Sequence, residues 1–370
     1  MRKSAFQHRI HALRTKLSDI RPDTAWIIQP ENRQYLSGFS AEDSQLNESS
    51  GSLFINDKAC LLVTDSRYSA EAQKEAPDFE IITAKRGLLD ALPTVMEFLE
   101  TQCLGFEEDH LTWGLHQQVR RTLRKLDQPP RLTPLKGVVE ELRVIKDTAE
   151  IKAMEASSDL MSRILAEVIP SLAPGRTEKE IAWQIEGLAM EGGADGLAFP
   201  SIVASGPNSA LPHAVPTDRK IRAREPIILD VGVRIKGYRC DMTRTVFLER
   251  PGPKFRKIYR TVREAQLAAL PEVRPGVKSN IPDKKARDLI SDAGFGEYFG
   301  HALGHGVGLA THEVPRLGPE KPVKLEKGMV VTVEPGIYIP GKGGVRLEEM
   351  VVIEKNGPRI LTRNPHFYEF

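Results

Sequence analysis

The sequence predicts an α/β (α+β) protein of two domains, an α/β N-terminal domain over 1–135 and a C-terminal domain over 147–370. Three observations predict it. The 370 residues exceed the roughly 150 expected of one domain. Strand-like and helix-like segments alternate through the first third. After about residue 147 the pattern changes to longer helices and paired apolar strands. At 40% hydrophobic and 28% charged, the composition is ordinary for a globular chain. Its 29 glycines and 26 prolines are scattered as punctuation, with no repeat and no low-complexity tract.

The elements follow in order. Phe6, Ile10, Leu13 and Leu17 lie near helical spacing and predict an amphipathic opening helix. Thr24 to Ile28 reads as a strand. Residues 52–56 and 60–64 flank Asp57-Lys58 and read as a hairpin. Tyr68 to Ala76 reads as helix, Phe79 to Thr83 as strand, Leu88 to Gln102 as helix despite Pro93, Leu104 to Phe106 as strand and Thr112 to Leu126 as helix. Asp127 to Pro134 breaks the pattern, and the domain boundary falls near 130–147. Asp147 and Glu150 form a capping box opening a helix to about Ile169, which Pro170 interrupts; Thr177 and Glu180 form a second, opening a helix that ends near Gly192. Strands over 226–233, 241–248, 329–334 and 345–353 then bracket helices near 253–270 and 279–293.

Charge and cysteine usage exclude several classes. The formal net charge is +2, from 52 basic against 50 acidic residues. That gives no broad basic field for nucleic acid and no polybasic membrane anchor. No apolar run approaches the ~20 residues that span a bilayer. The opening Met1-Arg2-Lys3-Ser4 has no apolar stretch behind it, so it does not read as a secretory signal. Cys60, Cys103 and Cys240 are few, odd in number and widely spaced, which fits a reducing cytoplasm. Within this balance, residues 1–150 carry 20 basic and 23 acidic side chains, and the remainder 32 and 27. His213, His301, His305 and His312 fall within one hundred-residue stretch of the second part.

Two apolar strands around Lys236-Gly237 carry Asp230 and Asp241. With a two-residue turn there, Asp230 stands opposite Thr243 and Asp241 opposite Gly232, so both carboxylates share a face as diagonal neighbours. Buried carboxylates repel unless a cation lies between them, and a diagonal of about 7 Å suits two metal ions roughly 3.5–4 Å apart. Glu334 and Glu348 repeat the arrangement in strands 330–334 and 345–353, with Gly341 to Gly344 as the turn between them. Glu349 points to the other face, where a solvated role is expected. Between the pairs lies Gly300-His301-Ala-Leu-Gly304-His305-Gly306-Val-Gly308, followed by His312. Its glycines let backbone approach a ligand closely. It lacks the spacing of a phosphate-cradling loop. One imidazole and four carboxylates make a hard donor set that suits Mn²⁺, Co²⁺ or Fe²⁺ as a pair, with Zn²⁺ less distinctive.

Together these motifs resemble the M24 metallopeptidases, the pita-bread family of Xaa-Pro aminopeptidases, prolidases and methionine aminopeptidases. The resemblance covers the whole chain. It implies a creatinase/prolidase-type N-terminal domain, reaching the Arg143-Val-Ile-Lys146 stretch, and a pita-bread catalytic domain. It implies that Asp230 binds one metal ion, Asp241 and Glu348 bridge both, His305 binds the other, and Glu334 is a ligand that also accepts a proton from water. His213 matches a histidine that donates a hydrogen bond near the substrate amide, and His312 one that stabilises the tetrahedral intermediate. His301 resembles a substrate-pocket histidine and Arg346 an arginine that orders the site. Cys240, beside Asp241, faces away as a packed thiol.

Methionine aminopeptidases usually lack the long N-terminal domain, and creatinase-like members lose metal ligands, so proline-specific peptidases remain. The expected activity is an Xaa-Pro aminopeptidase, cutting peptides with proline in second position by a metal-activated hydroxide on two divalent ions, Mn²⁺ favoured. The alternatives are an Xaa-Pro dipeptidase (prolidase) and, more remotely, a non-catalytic pita-bread binding module. A dipeptidase would hold the substrate carboxylate with a cation, and the sequence singles out none. The resemblance further implies a homodimer, with the polar Ser40–Ser50 loop a candidate for lining the partner's cleft, and no nucleic-acid or membrane partner.

Overall fold

The structure is a computed structural model that describes residues 5–43, 45 and 48–370. Met1 to Ser4 and, in the Ser40–Ser50 loop, Ser44, Leu46 and Asn47 lie outside the described residues. The chain divides into two compact units, 1–143 and 144–370. No helix among the described residues is long and apolar enough to cross a membrane.

The first unit opens with α1 (Ala5–Ser18), which buries Ile10, Leu13 and Leu17 as the spacing predicts. Its six-stranded sheet comprises β1 (Thr24–Ile27), β2 (Gly51–Ile55), β3 (Cys60–Thr64), β4 (Glu80–Thr83), β5 (Cys103–Phe106) and β6 (Arg131–Pro134), in the order β4-β3-β2-β1-β5-β6. The helices are α2 (Pro30–Ser37), α3 (Ser69–Glu75), α4 (Leu88–Phe98), α5 (Trp113–Leu123) and α6 (Val138–Arg143). The predicted hairpin is β2–β3, closed by the Asn56 side chain accepting the N–H groups of Lys58 and Ala59. Trp26 and Phe54, cross-strand partners in β1 and β2, stack at 5.9 Å within the core. β6 occupies the stretch expected to be irregular. As the edge strand of its sheet it tolerates Pro134, which cannot donate to a further neighbour. Helix α2 also escaped the periodicity reading, because it buries the polar Asn32 and Arg33 alongside Tyr35 and Leu36.

The second unit begins with α7 (Thr148–Ser171) and α8 (Glu178–Glu191). Both start on the predicted capping boxes, each with its two reciprocal hydrogen bonds. α7 continues through Pro170 to Ser171, slightly beyond the expected end. The strands are β7 (Gly196–Leu197), β8 (Ile202–Ser205), β9 (Ile227–Val231), β10 (Val233–Ile235), β11 (Tyr238–Arg239) and β12 (Met242–Val246). Helices α9 (Pro253–Ala269) and α10 (Asn280–Asp292) follow. The remaining strands are β13 (Gly304–Gly306), β14 (Glu313–Leu317), β15 (Val330–Val333), β16 (Gly336–Ile339), β17 (Gly343–Arg346), β18 (Glu349–Glu354) and β19 (Gly357–Ile360). One sheet has the order β12-β9-β8 and another β14-β13-β15-β18-β19. Ile258, Val262, Ala265 and Ala269 of α9 bury with Val331, Val333, Val345 and Val351 in a single core cluster.

The turn between β10 and β11 is the predicted one. Lys236 and Gly237 both have positive φ, 53° and 77°, as a two-residue hairpin turn of the twist-matched kind requires. In the β9–β12 pairing Asp230 stands opposite Thr243, as read from the sequence. The second expected hairpin is corrected. Strands β15 and β18 do pair, with Val333 opposite Glu349, but a separate hairpin β16–β17 is inserted between them in a sheet of its own. Pro335 has no N–H to continue the ladder after Glu334, so the chain leaves the sheet there. It rejoins the sheet at Glu349, opposite Val333, while Glu348 just before it donates its N–H to the Thr243 carbonyl of β12 in the other sheet.

Candidate metal centre

Asp230 ends the apolar run of β9, Asp241 immediately precedes β12, and Glu348 immediately precedes β18. All three are buried, and each offers an oxygen within 4.8 Å of the other two's. Thr243 holds Glu348 through its hydroxyl, which donates to Oε2 at 2.8 Å. Glu348 Oε1 and Asp230 Oδ1 are buried with no hydrogen-bond partner among the described residues. Buried carboxylate oxygens are seldom left so, because desolvation without a partner is costly. Burial, then the charge of Asp230, pushes the Asp241 carboxyl well above the usual range; burial and then Asp241 do the same to Glu348. Three facing carboxylates with two unpaired oxygens form a hard donor set, which fits a divalent cation.

The His305 and Glu334 side chains complete the cluster. His305 lies in β13, and its Nδ1 sits 2.9 Å from the Gly306 carbonyl, which orients the ring. Nε2 is 3.3 Å from Glu334 Oε1 and 3.7 Å from Asp241 Oδ2. Glu334 Oε1 also accepts the Thr332 hydroxyl at 3.0 Å. Burial would lower the imidazole's pKa, but the hydrogen bond and charge of Glu334 outweigh it and raise it to about 9. Burial alone would raise Glu334; His305 reverses that and brings it down to about 2. All five expected ligands therefore converge on one region.

The other expected residues form two branches. In the first, Arg346 is buried, donates from Nη2 to Asp230 Oδ2 at 2.6 Å and from Nη1 to the Tyr338 hydroxyl at 2.8 Å. That hydroxyl lies 2.9 Å from His301 Nε2, so His301 reaches Asp230 through Tyr338 and Arg346. Burial lowers the His301 pKa and pushes Tyr338 up to about 12. In the second, the His312 ring stands edge-on to His305 with centroids 4.4 Å apart. Its pKa is lowered by burial, then by His305, with a smaller contribution from His213. His213 itself is exposed, on the loop after β8.

Sequence reasoning misplaced one residue and missed two. Glu349 is buried, paired with Arg244 at 3.1 Å, and does not take the solvated role expected of it. Arg244 also donates to the Glu348 and Asn364 carbonyls. Tyr338 carried no motif of its own. Arg316 is an exposed cation that the sequence did not single out: it sits directly opposite His305 across β13–β14, and cross-strand partners share a face. Cys240 is buried, its Sγ accepting the Val233 N–H at 3.3 Å, as a packed thiol would.

Comparison with known proteins shows the family. Residues 152–355 match the family model "Metallopeptidase family M24", and residues 9–145 match "Creatinase/Prolidase N-terminal domain". The Xaa-Pro dipeptidase of Pyrococcus furiosus is 34% identical over 92% of this chain and 93% of its own length. A solved Xaa-Pro dipeptidase from Bacillus anthracis superposes with a TM-score of 0.91, at 34% identity over 97% of this chain and 98% of that one. An X-Pro aminopeptidase from Thermotoga maritima does so at 0.88, with 33% identity over 97% and 98%. The chain belongs to metallopeptidase family M24, with a creatinase/prolidase-type N-terminal domain.

Proposed function

We propose that this M24 family member is an Xaa-Pro dipeptidase whose two divalent ions, Mn²⁺ by preference, are held by Asp230, Asp241, His305, Glu334 and Glu348. The carrying observation is the convergence of Asp230, Asp241 and Glu348, buried, with ligand atoms within 4.8 Å and two oxygens that have no hydrogen-bond partner among the described residues. The dipeptidase reading moves ahead of the aminopeptidase reading that the sequence favoured. Relatives that align over more than nine-tenths of this chain carry the dipeptidase name. The aminopeptidase reading stands second, favoured by the Thermotoga maritima likeness.

Divalent ions in such a site lower the pKa of water toward neutrality and polarise a carbonyl. The rest falls to this chain's side chains. Glu334, held by Thr332 and His305, is placed to take up the proton of the attacking water. His312, beside His305, serves the oxygen on which charge develops. His213 donates toward the scissile amide. Its substrate is a tertiary amide with no N–H, which an enzyme gripping that N–H could not process. Arg346 holds Asp230 in place, with Tyr338 and His301 behind it. Arg316 is the cation that takes the dipeptide's free carboxylate.

The deciding experiment compares an Xaa-Pro dipeptide with an Xaa-Pro-Xaa tripeptide after Mn²⁺ reconstitution. Dipeptide cleavage at a much higher kcat/KM is expected. Preference for the tripeptide would restore the aminopeptidase reading, and cleavage of neither by metal-loaded protein would end the peptidase reading.

A further inference from the structure

We propose that Glu178, far from the metal ligands in sequence, is a positioning residue that sets His213 through the arch Ser205–Thr217; the inference rests on the role given to His213 above. Glu178 is fully buried in the first turn of α8. Its carboxylate accepts hydrogen bonds from both ends of one loop. Oε1 receives the Ser205 N–H and hydroxyl, each at 2.8 Å. Oε2 receives the Thr217 N–H at 3.0 Å and its hydroxyl at 2.6 Å. Asn208 Nδ2 reaches both oxygens, at 3.1 and 3.0 Å. A carboxylate offers about four lone-pair sites, so this one is filled by donors from the arch.

The same helix terminus closes the arch in a second way. The first N–H groups of a helix have no partner inside it. Here those of Glu178 and Lys179 donate to the Arg219 and Thr217 carbonyls. The arch therefore springs from one fixed base, with His213 near its crown. The crown is tied to the metal centre: Arg346 Nη1 donates to the Pro212 carbonyl at 3.2 Å while its Nη2 holds Asp230. Ser209 Oγ accepts the Gly344 N–H at 2.8 Å from the strand that carries Arg346. His213 thus gets its position from two anchors, Glu178 at the base and Arg346 at the crown. A glutamine at 178 keeps the size but replaces one acceptor by an amide N–H, which would face the donors of Ser205 or Thr217. One foot of the arch would be released.

The test is a double-mutant cycle on the Mn²⁺-loaded full chain, reading kcat and KM for an Xaa-Pro dipeptide together with bound metal. Glu178→Gln is expected to lower kcat roughly 10- to 100-fold with little change in KM and unaltered metal content, since small misplacements cost that much. In a His213→Ala background the same substitution should cost less than about twofold, because residues acting as a unit are not additive. Asn208→Ala, at a partly exposed site, should show the same pattern more weakly and serves if Glu178→Gln does not fold. Losses that multiply in the His213→Ala background, wild-type kcat in both variants, or metal loss tracking activity loss would each overturn the assignment. A wild type that fails to cut the dipeptide overturns the dipeptidase reading and this inference with it. An active wild type with multiplying losses overturns this inference alone.

Discussion

Glu334 Oε1 lies 3.3 Å from His305 Nε2, and Arg316 stands opposite His305 on the neighbouring strand, so one imidazole has the proposed proton acceptor and the proposed carboxylate anchor beside it. The two should fail differently. Glu334→Gln keeps shape and removes the acceptor, so turnover should fall about 10²- to 10⁴-fold while circular dichroism keeps its native form. A variant retaining a tenth of wild-type kcat would remove Glu334 from that role. Arg316→Met should instead raise KM for a dipeptide roughly tenfold or more, the worth of a charge-assisted hydrogen bond, and spare a tripeptide. Equal losses on both peptides would show that Arg316 does not read the carboxylate. The sequence made Asp230 and Asp241 legible because an acid in an apolar strand is conspicuous and a two-residue turn fixes their register. Arg316 was not legible, because only its pairing with His305 gives it a face. Glu349 was misread for a related reason: its partner Arg244 lies 105 residues away, and no local period reveals it.

At the scale of elements, the β9–β12 region depends on close backbone approach. A Cβ at Gly232 would lie 2.1 Å from the Cys240 carbonyl oxygen, a backbone atom that cannot move without opening the strands between Asp230 and Asp241. Gly232→Ala should therefore cost about 3 kcal/mol and weaken metal binding. Gly187→Ala in α8, where a Cβ meets nothing within 4 Å, should gain up to about 1 kcal/mol. Thermal melts of the two variants check the contrast; equal shifts would refute it. A second element-level device joins β1 to β5. Glu107, just after β5, accepts the N–H groups of Ile28 and Gln29 just after β1, at 2.6 and 2.7 Å. Burial outweighs these bonds and raises its carboxyl from 4.5 to about 7. The folded state thus favours the protonated acid, so this stabilisation is complete below pH ~4.5 and is lost as pH rises through ~7. The loss amounts to about 3 kcal/mol. Glu107→Gln should flatten the dependence of melting temperature on pH between 5.5 and 8, and an unchanged slope would discard the idea. The capping boxes of α7 and α8 could be read locally because both partners lie within four residues. β6 and α2 could not, since an edge position and a buried polar network are properties of the assembled sheet and not of the segment.

For the whole molecule, the near balance of 52 basic and 50 acidic residues conceals a concentration of like charge. Four of the proposed ligands are carboxylates, and all five lie in the unit 144–370. The fold holds three of them buried with facing oxygens, an arrangement that costs stability unless cations share it. Metal should therefore act as a folding ligand as well as a reagent. Binding only to the folded state, at a free concentration 100 times Kd, stabilises by about 2.7 kcal/mol. For a unit of 150–250 residues that corresponds to a melting shift of roughly 5–10 °C. Chelation should lower the melting temperature by that amount, and Mn²⁺ or Co²⁺ should restore it. Hydrogen exchange should place the loss where the ligands are, in β9 and β13 and at the adjoining ends of β12, β15 and β18. Alanine at Asp241, which stands within reach of both Asp230 and His305, should abolish the metal-dependent shift while raising the stability of the metal-free protein, because one of three crowded, desolvated carboxyls is gone. A melting temperature indifferent to chelator and to added metal, in wild type and variant alike, would mean that the carboxylate cluster is held together by something other than divalent ions.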